Sequence, residues 1–96
     1  MKQLNLTKKQ LRLVGFTRKV VKASQPDGTK KPRTIYRISI INGSIYCNVD
    51  EPVYKWYIAM SVGDASNHIC MDIYCASQMY GVLDAMGAKN NLIMGL

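Results

Sequence analysis

The chain has 96 residues, 48% of them hydrophobic, with a formal net charge of +7 and three cysteines. That length carries one core without metal or disulfide support, and the composition is too apolar for intrinsic disorder. No apolar run approaches a membrane span, no apolar h-region follows the basic start MKQLNLTKKQ, and an odd cysteine count points to reduced thiols; a single compact domain over 1–96, cytoplasmic and without a membrane partner, is therefore expected.

Leu6 to Gly15 reads as a short opening helix. Thr7 followed by Gln10 is a capping-box pattern, Leu6 and Leu11 have the spacing of a hydrophobic staple, and Gly15 suits the end. Lys8 and Lys9 oppose the helix dipole there, and LRLVGF could instead begin a strand. FTRKVVKAS, 16–24, has the β-branched content of a strand but imperfect alternation. QPDGTKKP, 25–32, contains Pro-Asp-Gly, which turns because Pro presets φ and Gly accepts a left-handed backbone. A hairpin follows, with Lys30, Lys31 and Arg33 at or near its tip. Basic loop tips grip phosphates, and they are also where ordinary solvated lysines collect.

The central feature is TIYRISIINGSIYCNV, 34–49. Asn42-Gly43 between β-rich runs signals a type I′ hairpin turn, whose two residues must tolerate positive φ. A loop of those two residues pairs Ile40 with Ile45, Ile38 with Cys47 and Tyr36 with Val49. One face is then apolar (Tyr36, Ile38, Ile40, Ile45, Cys47, Val49), and the other carries Arg37, Ser39, Tyr46 and Asn48.

Next, Asp50 fits an N-cap, Glu51 and Pro52 a first turn, and Gly63 a stop. Val53, Trp56, Tyr57 and Met60 follow helical spacing, which predicts a helix over 51–62; a strand competes, because Val, Tyr, Trp and Ile favour sheets. HICMDIY, 68–74, alternates as a strand. Ser77 caps a last helix, SQMYGVLDAMG, with Met79, Val82, Leu83 and Met86 buried and Gly87 ending it. The apolar tail LIMGL is expected to pack on the body as an edge strand or into a neighbouring subunit. The whole reads as α+β: an antiparallel sheet of three to four strands around the central Asn-Gly hairpin, with two to three short helices on one face.

Catalysis finds little support. His68, Cys70 and Asp72 share one strand face, but neighbours on a strand stand about 7 Å apart, beyond the hydrogen-bond reach of a nucleophile and its base. His68, Cys70, Cys75 and Cys47 lack the paired spacings of structural zinc. No P-loop, GxGxxG, nucleophile elbow or HExxH occurs, so neither enzyme activity nor a cofactor or metal is expected.

Charge gives the stronger lead. Residues 1–49 hold eleven of the thirteen Lys and Arg against one acid, Asp27, whereas residues 50–96 hold two against five acids. This asymmetry points to a polyanionic partner, most simply nucleic acid, set against the plain alternative that lysines keep a small protein soluble. Arg37, Tyr46 and Asn48 share the polar face of the hairpin; with Arg18 and Lys22 beside them, the cations would follow a phosphate backbone and the ring would stack on a base. A one-residue shift of the first strand would replace Arg18 by Lys19 and keep the basic character. The expected nucleic-acid-binding set is Arg18, Lys22, Lys30, Lys31, Arg33, Arg37, Tyr46 and Asn48. A second reading is a protein-interaction module, a regulator, inhibitor or assembly subunit of the kind phages and mobile elements encode, forming homo-oligomers through Trp56, Leu92 and Ile93. A third is a pocket for an anionic small molecule such as a nucleotide.

Overall fold

The computed structural model describes residues 2–50, 54–62 and 65–94. Five strands form one antiparallel meander in chain order: β1 (Thr17–Ser24), β2 (Lys30–Ile40), β3 (Gly43–Asn48), β4 (Lys55–Val62) and β5 (Ala65–Met71). Two helices, α1 (Lys8–Val14) and α2 (Ala76–Ala85), pack their buried residues Leu11, Val14, Met79 and Leu83 onto one sheet face. The domain is thus α+β, with more strands than the sequence predicts and, among the described residues, no third helix.

Local chemistry explains both helix starts. At α1 the Thr7 hydroxyl accepts from the Gln10 N–H at 3.0 Å and the Gln10 side chain accepts from the Thr7 N–H at 2.9 Å, completing the capping box. Leu6 and Leu11 are both buried, as a staple requires, and Gly15 ends the helix at φ 131°. At α2 the cap position is Cys75 rather than Ser77, and no side-chain bond caps it. Gln78 instead reaches back to accept from the Tyr74 N–H at 2.8 Å, while Ser77 lies within the first turn, 3.2 Å from the Cys75 sulfur. The stripe of Met79, Val82, Leu83 and Met86 faces the core as predicted.

The central hairpin keeps its faces but not its register. Ile40 pairs with Gly43, Ile38 with Ile45 and Tyr36 with Cys47, so the loop is Ile41-Asn42. The slip is two places, which preserves parity and leaves every side chain on its predicted face. Asn42 alone takes positive φ, 60°, which rules out type I′ geometry. Gly43 has entered β3, where a Cβ would run into the backbone carbonyl of Ala59 on β4. Close approach by the next strand, rather than the turn, is what demands glycine here.

The predicted helix over 51–62 is instead β4 from Lys55 onward; Glu51, Pro52, Val53 and Gly63 lie outside the described residues. Trp56 decides the matter. It sits between Cys47 and Met71 in the sheet, is fully buried, meets Phe16 edge-on with ring centroids 5.9 Å apart, and donates from Nε1 to the Leu4 carbonyl at 3.0 Å. Trp56 therefore belongs to the core and offers no surface to a partner subunit. The Asp50 carboxylate accepts from the Thr34 N–H on β2 at 2.7 Å. The described residues of the tail, 92–94, do not form an edge strand. Asn91 donates to the Val14 carbonyl at 2.8 Å and the Ile93 N–H to the Tyr80 hydroxyl at 3.1 Å, laying the chain over both helices with Ile93 half-buried.

Candidate nucleic-acid interface

The second face of the sheet bears neither helix. Pairing places Thr17, Arg37, Tyr46, Tyr57 and Cys70 in one row across it, Lys19, Ile35, Asn48 and Lys55 in the next, and Ser39, Ser44, Ala59 and His68 on the other side. Arg33 and Lys31 continue the β2 column beyond Ile35. Lys19, Lys31, Arg33, Arg37 and Lys55 thus share a face on which no described strand position carries a carboxylate. The Asp50 carboxylate, held on the Thr34 N–H, lies beside the β2 end of this row; along the strands themselves the like charges add.

Tyr46 is the centre of this surface. Its ring stacks on Tyr57 at 5.0 Å and 17°, and its hydroxyl lies 2.9 Å from Nδ1 of His68. Partial burial, reinforced by Tyr57 and Cys70, holds the hydroxyl above the ordinary tyrosine range, so it remains a neutral hydrogen-bonding group. Around it lies a shallow concavity of about 320 Å³ lined by Lys19, Ile35, Arg37, Ser44, Tyr46 and His68 among others. One face of the Tyr46 ring and its hydroxyl are already engaged within the protein, which leaves less of it for stacking on a base.

Of the sequence-predicted set, Arg37, Tyr46, Lys31 and Arg33 lie together on this face. Arg18, Lys22 and Lys30 do not: Arg18 pairs with Tyr36, Lys22 with Pro32 and Lys30 with Ser24, all on the helix-bearing side, and Lys19 takes the place expected for Arg18. Asn48 has the right parity but is 8% exposed, and its side-chain oxygen accepts from the Asp50 N–H at 3.1 Å; it shapes the chain after β3. His68 pairs with Tyr46, not with Cys70 or Asp72, and among the described residues no three His, Cys, Asp or Glu groups gather as metal ligands would. Burial pushes the Cys47 thiol up to about 12, so it stays protonated in the core. Lys55, Tyr57 and His68 were not in the predicted set: the helical reading of 51–62 hid the first two, and only a fourth and fifth strand bring His68 to Tyr46. Of the three residues assigned to a subunit interface, Leu92 alone is fully open, at 81% exposure, with Met94 beyond it at 97%.

Comparison with protein-family models, with curated proteins and with solved structures returns no match to this chain. Among the described residues no helix is long and apolar enough to cross a membrane.

Proposed function

We propose that this is a small, non-enzymatic nucleic-acid-binding protein that holds phosphates with its basic N-terminal half. The observation that carries the reading is the gathering of Lys19, Lys31, Arg33, Arg37 and Lys55 on the sheet face that bears neither helix, without a strand-borne carboxylate among the described residues. Such a surface attracts a polyanion through counterion release, a contribution that is indifferent to base sequence and falls steeply with salt. The test is polarisation binding to labelled duplex DNA, single-stranded DNA and RNA across a NaCl series. Binding is expected to weaken linearly in log salt, and neutralising Lys19, Lys31, Arg33 and Arg37 together should lower the slope by about 3 to 4. Binding unaffected by that fourfold change would remove the assignment, and no binding to any polymer at low salt would remove the function.

A second reading is self-association through the C-terminal tail, favoured by the open side chains of Leu92 and Met94 next to half-exposed Leu13. Solution mass on the same sample distinguishes it: a Leu92→Asp, Met94→Asp chain would become monomeric if the tail joins copies.

A further inference from the structure

We propose that the outer part of the β1–β2 hairpin is an arm that enters the major groove of duplex DNA. The inference rests on the nucleic-acid reading above and specifies the polymer and the way it is held. The last pair between β2 and β3 is Ile35 with Asn48. Beyond it, among the described residues, β1 and β2 continue without a third strand through Val21–Arg33, Lys22–Pro32, Ala23–Lys31 and Ser24–Lys30. At about 3.4 Å per residue, with the turn added, this two-stranded ribbon stands roughly 15 Å clear of the sheet.

The ribbon is built to stay two-stranded. Thr34 directs its N–H away from β1, to Asp50, so Pro32 at the same parity turns its nitrogen to the outer edge, where it has no hydrogen to offer a further strand. The tip is a closed turn: Gln25 N–H donates to the Thr29 carbonyl at 2.7 Å, Gly28 N–H to the Gln25 carbonyl at 3.0 Å, and the Asp27 carboxylate accepts from both the N–H and the hydroxyl of Thr29.

Cations stand on both sides of it. Lys22 and Lys30 project from one face and Lys31 and Arg33 from the other, with Asp27 the one acid between positions 21 and 33. A protein surface that meets a single phosphate row needs cations on one face only. A ribbon charged on both faces is matched by phosphates on both sides, which is what the walls of a duplex groove supply. A strand layer with its side chains is about 10 Å thick. The major groove of B-form DNA is about 12 Å wide and 8.5 Å deep and admits such a ribbon, while the B-form minor groove, about 6 Å wide, does not. The deep, narrow major groove of an RNA duplex also excludes it. The ribbon carries no aromatic residue, so it has nothing on which the bases of a single strand would stack.

The test uses the full chain and two double variants, Lys22→Gln with Lys30→Gln and Lys31→Gln with Arg33→Gln, each checked for native circular dichroism. Their binding is measured against one sequence prepared as DNA duplex, RNA duplex and single-stranded DNA. The groove arm predicts tightest binding to the DNA duplex, a comparable loss for both variants with the salt slope lower by about 1 to 2 in each, competition by the major-groove dye methyl green, and no competition by the minor-groove ligand netropsin. Loss confined to the Lys31/Arg33 variant would assign the contact to the flat sheet face and overturn the arm, as would a preference for single strands or RNA duplex, or competition by netropsin alone. Absence of binding to all three polymers by the unaltered chain would instead reject the nucleic-acid reading itself.

Discussion

A methyl group added at position 43 has no room, whereas one added at position 81 meets open space. The Gly43 Cβ would press on the Ala59 carbonyl and crowd Met60 Cα, and these are backbone atoms of a paired strand that cannot swing aside. Gly81 lies on the exposed side of α2 with nothing within 4 Å of the added carbon. Gly43→Ala should therefore lower the unfolding free energy by about 1–3 kcal/mol, the usual range for overpacking. Gly81→Ala should raise it by about 0.5–1 kcal/mol, because alanine gives up less chain entropy in a helix. Urea unfolding of the two variants checks both signs, and a neutral Gly43→Ala would mean that the approach of β4 does not demand glycine at this position. The sequence displays the Asn-Gly pair but not which demand it answers. That demand comes from Ala59 of β4, sixteen residues further on.

Features encoded within a few residues were legible at the scale of elements, and those set by distant partners were not. The α1 capping box, the two faces of the central hairpin and the part of the 68–74 strand that forms, His68 to Met71, all follow from local hydrogen bonds or from parity, whereas β5 itself runs from Ala65 and ends before Asp72. β4 reads as a helix because Trp56 and Met60 satisfy both periods: spaced four apart, they share a helix face and equally one side of a strand. Ile58 between them faces inward beside Ile45, and Tyr57 faces out onto Tyr46, a division only the strand provides. The face of β1 was illegible for a related reason, since Arg18, Lys19 and Lys22 straddle both parities and only pairing with β2 sorts them. Half the candidate arm and the Tyr46–His68 contact thus depended on tertiary pairing. The placement of Trp56 is testable by separating stability from assembly. Trp56→Ala should cost about 3–5 kcal/mol, and Trp56→Phe should cost less while still losing the bond to Leu4, worth roughly 1 kcal/mol. Calorimetry should record both losses with the solution mass unchanged. A Trp56→Phe chain of normal stability but reduced mass would return this residue to a subunit interface.

Across the whole molecule, the segregation of charge that recommends a polyanion also works against the free fold. The net charge is +7, and Lys19 on β1 lies diagonal to both Arg37 and Arg33 on β2, with Lys31 further along the same strand; diagonal neighbours are about 7–8 Å apart and no strand carboxylate intervenes. Screening shortens the reach of that repulsion from about 10 Å at 0.1 M salt to about 3 Å at 1 M. Raising NaCl from low to moderate concentration should therefore stabilise the unbound protein by a few tenths to about 1 kcal/mol, raising Tm by roughly 2–8 °C in a domain of this size. Chloride is the suitable salt, because sulfate would strengthen apolar burial as well. The same increase should release nucleic acid, so one set of side chains yields two salt responses of opposite sign. Lys19→Gln with Arg37→Gln should flatten both together: a smaller rise in Tm and a shallower loss of binding. If the Tm of the native chain were independent of NaCl while binding still fell, the cations would already be compensated within the fold, and electrostatic frustration relieved by a partner would not be the reason they are gathered there.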